Sequence, residues 1–144
     1  MARKMKKSFT LIELIVSIAI LGLIFGFSAS SIINFSNSTK IDSSADELVS
    51  IIRKAQEKSI NAEKNLSWGI DFSKSPFYIL YSQVGDQERY ELDSKIKLTK
   101  TSDVLLFEKL SGKIDENFEI VLTLDNKSYK ININSEGMIE YYKQ

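Results

Sequence analysis

Cysteine and histidine are both missing from this chain of 144 residues, and proline occurs once. Without cysteine the chain can form no disulfide and offers no thiolate nucleophile. Without histidine it lacks the commonest metal ligand and the commonest general base at neutral pH. No carboxylate or Ser-Lys cluster in the sequence points to a reaction. Composition therefore disfavours an enzyme, a metal site and any other cofactor, and no residue is assigned a catalytic role.

Charged residues are missing from residues 14–39, a stretch longer than the ~20 residues that cross a bilayer core. The segment before it, residues 1–8, carries Arg3, Lys4, Lys6 and Lys7 and no acid. A basic start before an apolar run predicts an N-terminus in the cytoplasm. The remainder has a small excess of acid, which is not typical of a general nucleic-acid binder.

Four segments follow from these patterns: a basic leader (1–8), a transmembrane helix (9–34), an amphipathic soluble half of the same helix (35–65) and a β-domain (66–144). The amphipathic segment has one apolar stripe at helical spacing, which predicts that this face is buried on the β-domain. Asn65 is the predicted end of the helix. The stripe consists of Ile41, Ala45, Leu48, Ile52, Ala55, Ser59 and Ala62.

Beyond residue 66 the apolar period changes from helical spacing to alternation, which predicts strands. FEIVLTL (118–124), SYKININ (128–134) and MIEYY (138–142) alternate and are separated by turn residues, so they predict a three-stranded antiparallel meander. LSWGIDF, FYILYSQV, KIKLT and DVLLF are further strand candidates. The predicted fold class is α+β, a long N-terminal helix packed on an antiparallel β-sheet domain.

Glu13 is an acid close to the start of the apolar run, where a charge costs free energy in a membrane. A plain membrane anchor, or a signal peptide cut near Ser30, gives this acid no purpose. A cut between Ser8 and Phe9 would remove the four basic residues and create an ammonium four positions from Glu13. Helix geometry favours the terminus of a neighbouring subunit as the partner, so that Glu13 would set axial register in an assembly.

The residues SFTLIELIVSIAILG resemble the signal of type IV pilins and of the pseudopilins of type II secretion. Phe9, Thr10, Leu11, Ile12 and Glu13 match the family start in order, although Ser8 stands where the family usually has glycine. The family's mid-helix proline is also missing. The resemblance implies cleavage after Ser8 by prepilin peptidase, N-methylation of Phe9 by the same enzyme, and pairing of Glu13 with another subunit in a filament.

The C-terminal part resembles GspH/FimT-like minor pseudopilins, in which a strand, a glycine turn and a last strand end the β-domain. Ile131, Ile133, Gly137 and Ile139 fit that ending. The resemblance implies a structural subunit of a type II secretion or type IV pilus-type filament. It would lie in the bacterial inner membrane as a single-pass protein with its C-terminal domain outside the cytoplasm, then join the filament.

One alternative to a filament subunit remains at this stage. A membrane-tethered extracytoplasmic ligand-binding or sensor domain would fit the apolar run and the β-domain, but it would not need Glu13.

The expected partners of a pilin are prepilin peptidase, other subunits and the membrane. Nucleic acid is a less favoured partner, because the candidate basic patch of Lys127, Lys130 and Lys143 has Glu136 and Glu140 among its residues.

Overall fold

A computed structural model describes residues 10–144, apart from the side chains of residues 27–34. Ser8, Phe9 and the rest of the basic leader lie outside the described residues. The chain divides into two compact units, with the boundary between Ser36 and Asn37. The long helix α1, Leu11–Ile60, contributes its first part to one unit and its last part to the other.

Eight strands follow α1 in the second unit and form two antiparallel four-stranded sheets. In sheet A the order is β3-β2-β1-β5, formed by β1 (Trp68–Asp71), β2 (Phe77–Ser82), β3 (Gln87–Glu91) and β5 (Val104–Phe107). In sheet B the order is β4-β6-β7-β8, formed by β4 (Lys97–Lys100), β6 (Phe118–Leu124), β7 (Lys127–Ile133) and β8 (Ile139–Lys143). The α+β fold class predicted from the sequence is confirmed.

The last part of α1 is buried along the stripe that its sequence predicts. Ile41, Ala45, Ile52 and Ala55 are fully buried and belong to one apolar cluster with residues of both sheets. The inner faces of β6 and β7 supply Ile120, Leu122 and Ile131 to the same cluster, which follows from their alternating patterns. Burial of this stripe stabilises the helix far more than its intrinsic propensity does.

The helix ends at Ile60, before the predicted stop at Asn65. Ala62, Lys64 and Asn65 all have left-handed backbone angles, and a single 3-10 turn covers Glu63–Asn65. The buried Ser59 explains the earlier end. Its hydroxyl accepts the Trp68 N–H at 2.8 Å, and its carbonyl accepts the Leu110 N–H at 2.9 Å. The chain therefore has to reverse directly after Ile60 to bring β1 back to the helix.

The meander of β6, β7 and β8 matches the sequence prediction in order and direction. Leu124 pairs with Lys127, so Asp125 and Asn126 form a two-residue turn in which Asp125 has a φ of 53°. The strand β3 was not predicted. Its sequence QERYE has no apolar alternation, and most of its side chains are exposed because it is the edge strand of sheet A.

Candidate functional site

Helix α1 begins with a reciprocal pair of hydrogen bonds between Thr10 and Glu13. The Thr10 N–H donates to Glu13 Oε2 at 3.1 Å, and the Glu13 N–H donates to Thr10 Oγ1 at 3.3 Å. The Thr10 hydroxyl also donates to Glu13 Oε2 at 3.0 Å. This is a capping box, in which an N-cap threonine and a glutamate three residues later satisfy backbone N–H groups that the helix leaves unpaired.

The capping box gives Glu13 a role that the sequence analysis missed. The signal was present as T-x-x-E directly before an apolar run. The Glu13 carboxylate also lies where the positive end of the helix dipole favours an anion. The chain itself therefore donates two hydrogen bonds to this carboxylate.

Pairing of Glu13 with the terminus of a neighbouring subunit stays a prediction, and the capping box fixes the position of its side chain. In the structure Oε2 lies within hydrogen-bond distance of the Thr10 N–H, so the side chain folds back toward the start of its own chain. Pairing with another subunit requires the carboxylate to leave or share this cap.

Around Glu13 the helix is apolar on every side and exposed throughout residues 10–26. Leu11, Ile12 and Phe25 are 77%, 70% and 72% exposed. This differs from the last part of α1, where one face is buried and the others are polar. A helix with apolar side chains all round belongs in a protein interior or a membrane. We therefore expect the exposed surface of residues 10–26 to be buried in lipid or against another protein.

Ser17 is the other polar side chain near Glu13, and the helix itself satisfies it. Its hydroxyl donates to the Glu13 carbonyl at 2.7 Å, one turn back. Polar side chains that bond to the preceding turn present little unsatisfied polarity to an apolar surrounding. The carboxylate of Glu13 is thus the one ionisable group of the described residues 10–26.

No helix within the described residues is both long enough and apolar enough to cross a membrane. The membrane span expected over residues 9–34 stays a prediction.

Residues 3–29 match the family model described as the prokaryotic N-terminal methylation motif. The chain carries a prepilin-type signal. This is the signal of type IV pilins and pseudopilins, and the matched range includes Ser8, Phe9, Thr10 and Glu13. The resemblance stated from the residues alone is thereby confirmed. No curated protein and no solved structure matches the chain.

The prepilin-type signal says nothing about the β-domain, whose candidate residues have to be judged from their contacts. Lys130 pairs with Glu119 at 2.7 Å and Lys143 with Asp42 at 2.9 Å. The ammonium of Lys127 donates to the Ser38 hydroxyl. Each cation of the patch considered for DNA is therefore engaged within the domain, which does not favour nucleic acid as a partner.

The aromatic side chains of the β-domain divide between its core and its surface. Trp68 and Tyr78 are buried at 3% exposure and pack in the core. Burial raises the pKa of Tyr78 well above its usual range, with a smaller contribution from Glu47. Tyr141 and Tyr142 lie on the exposed strand β8, so the structure does not bring these four rings together.

Proposed function

We propose that this chain is a minor pilin or pseudopilin, a structural subunit of a type II secretion or type IV pilus-type filament. The observation that carries the proposal is the methylation motif over residues 3–29, in which α1 presents exposed apolar side chains on all sides over residues 11–26. The chain would be a substrate of prepilin peptidase and would catalyse nothing itself. Before assembly it would be held in the bacterial inner membrane by residues 9–34, with the β-domain outside the cytoplasm.

Processing would act at the peptide bond between Ser8 and Phe9. Cleavage there removes Arg3, Lys4, Lys6 and Lys7, which otherwise hold the N-terminus at the cytoplasmic surface. N-methylation of Phe9 keeps its amine basic, so the new terminus stays cationic. An N-terminal ammonium next to an apolar helix then needs an anion at the same depth, and Glu13 is the acid that the sequence supplies there.

Glu13 would have one role in the free subunit and another in the filament. In the free subunit its carboxylate accepts hydrogen bonds from the N–H and hydroxyl of Thr10. In the filament the carboxylate would face the ammonium of another subunit's first residue and so set the axial register of the two helices. The capping box lowers the cost of carrying the acid before assembly, because the charge remains hydrogen-bonded near the positive end of the helix.

Intact mass and N-terminal sequencing of the protein from membranes, with and without a prepilin peptidase, test the proposal directly. We expect a chain that begins at N-methylated Phe9 only when the peptidase is present. A chain that keeps its basic leader in both preparations would contradict the proposal and favour a membrane-tethered binding or sensor domain. A chain that begins near Ser31 would identify an ordinary exported protein.

Three variants separate the charge of Glu13 from its part in the capping box. Glu13→Gln keeps an acceptor for the Thr10 N–H but removes the charge, since glutamine also forms capping boxes. Glu13→Ala removes both, and Thr10→Ala removes the cap but leaves the charge. We expect co-purification with other subunits to be lost in the first two variants and kept in Thr10→Ala. Assembly by Glu13→Gln at the level of the unchanged protein would refute the charge-pairing role.

A further inference from the structure

Strand β5, Val104–Phe107, is an edge strand of sheet A that contains no charged residue. Exposed edges in natural sheets are usually protected by charges, because an unprotected edge can pair with another chain. The opposite edge of the same sheet, β3, follows this rule with Glu88, Arg89 and Glu91. Strand β5 lacks that protection.

The hydrogen-bonding phase of β5 shows which of its backbone groups are open. The Phe72 N–H donates to the Asp103 carbonyl at 2.8 Å, at the end of the β1–β5 pairing. Bonded and non-bonded pairs alternate along an antiparallel ladder. Leu105 and Phe107 therefore bond to β1, whereas Val104 and Leu106 direct their N–H and C=O groups away from it.

A groove of about 420 Å³ lies along this open side of β5. Val104, Leu105 and Leu106 all line it, and consecutive strand residues can do so only if the groove follows the strand edge. The other wall is the segment that leads into β6, where Ile114 and Phe118 contribute largely buried apolar side chains. The groove thus combines open backbone groups with an apolar lining.

The charged residues that line this groove are all acidic. Asp115 and Glu116 line it, are exposed, and have no ion-pair partner among the described residues. No lysine or arginine is among its lining residues. Lys113, the nearest basic residue in sequence to this wall, is already paired with Glu136 at 2.5 Å.

We propose that β5 accepts an extended segment of a partner polypeptide in which apolar residues alternate with lysine or arginine. The segment adds as a fifth strand to sheet A and bonds to the open groups of Val104 and Leu106. Its apolar side chains meet Ile114 and Phe118, and its cations meet Asp115 and Glu116. Alternation is required because successive residues of a strand face opposite sides.

The probe for this surface is a fluorescent peptide, Lys-Val-Lys-Val-Lys-Val-Lys, added to the full chain in non-ionic detergent and followed by fluorescence anisotropy. We expect saturable binding that weakens at least about tenfold when Asp115→Lys and Glu116→Lys are combined, since each reversal turns an attraction into a repulsion. The matched control combines Glu91→Lys with Glu140→Lys, two exposed acids outside the groove. It should bind like the unchanged protein.

A second peptide tests the strand addition itself. The same sequence methylated at every backbone nitrogen keeps every charge but loses the N–H groups that a ladder needs, and we expect it not to bind. Equal binding of the two peptides would overturn the proposal, because attraction to acidic side chains alone would explain it. Equal weakening by the groove and control variants would overturn it as well. If the full chain self-associates through this groove and no peptide binds, the occupant is a second copy and the basic partner is refuted.

Discussion

Replacing Ser59 by alanine should destabilise the β-domain out of proportion to the single oxygen removed. The side chain is fully buried where α1 meets β1. Its hydroxyl accepts the Trp68 N–H at 2.8 Å and donates to the Trp68 carbonyl at 3.2 Å. Ser59→Ala removes one buried hydrogen-bond partner from each of these two backbone groups. A hydrogen bond contributes about 0.5–1.5 kcal/mol, so the loss of two should lower the free energy of unfolding by roughly 1–3 kcal/mol.

Urea unfolding of the full chain in detergent measures this loss, followed by the fluorescence of Trp68, the single tryptophan, and by far-UV circular dichroism. The midpoint should move down by roughly 1 M, given typical denaturant slopes. Ser50→Ala, at an exposed position of the same helix, is the matched control and should leave the midpoint nearly unchanged. If the two variants unfold at the same urea concentration, the buried hydroxyl contributes nothing and the reasoning is refuted.

Three further predictions rest on other contacts. Gly69→Ala should cost about 1–3 kcal/mol of unfolding free energy in the same assay, because a Cβ there would collide with the Leu105 carbonyl oxygen. An unchanged midpoint would contradict this close approach of β1 and β5. Thr10→Ala should speed amide exchange in the first turn of α1, since losing an N-cap costs about 1 kcal/mol, whereas Thr10→Ser should not; equal exchange in both would contradict the capping box. The hydrogen bond from Lys143 holds the pKa of Asp42 below its usual range, so Asp42 contributes stability above its unfolded pKa of ~3.9 that is lost as pH falls through the lower folded value. Urea titrations at pH 7 and below pH 4 should show less acid destabilisation in Asp42→Asn than in the unchanged protein, and equal loss would exclude this group as a source.

The strand predictions show where sequence patterns carry enough information. The meander of β6 to β8 was predictable because each strand alternates and short polar turns separate the strands. Strand β3 was not, because an edge strand with both faces near solvent has no reason to alternate. The assignment of β4 and β5 to different sheets could not be predicted either, since only residues 101–103 separate them and both read simply as short strands.

The candidate site divides in a similar way. Motif and spacing predict Phe9 and Glu13 as the residues that a prepilin-type signal would use, and the matched motif covers both positions. The Thr10–Glu13 capping box is written in the sequence as T-x-x-E, whereas the same glutamate read as a charge in an apolar run predicts a role in assembly. The groove beside β5 could not have been predicted, because its two walls belong to segments that meet only in the folded domain.

By itself the sequence determined the lack of histidine and cysteine chemistry, the prepilin-type signal and the buried stripe of α1, because residue types and local spacing suffice for each. Tertiary structure decided where α1 ends, since the bonds of Ser59 to Trp68 and Leu110 bring distant segments against the helix. It also decided which strand edges stay open. Periodicity records that a face is buried, whereas the partner that buries it depends on contacts between segments far apart in the chain.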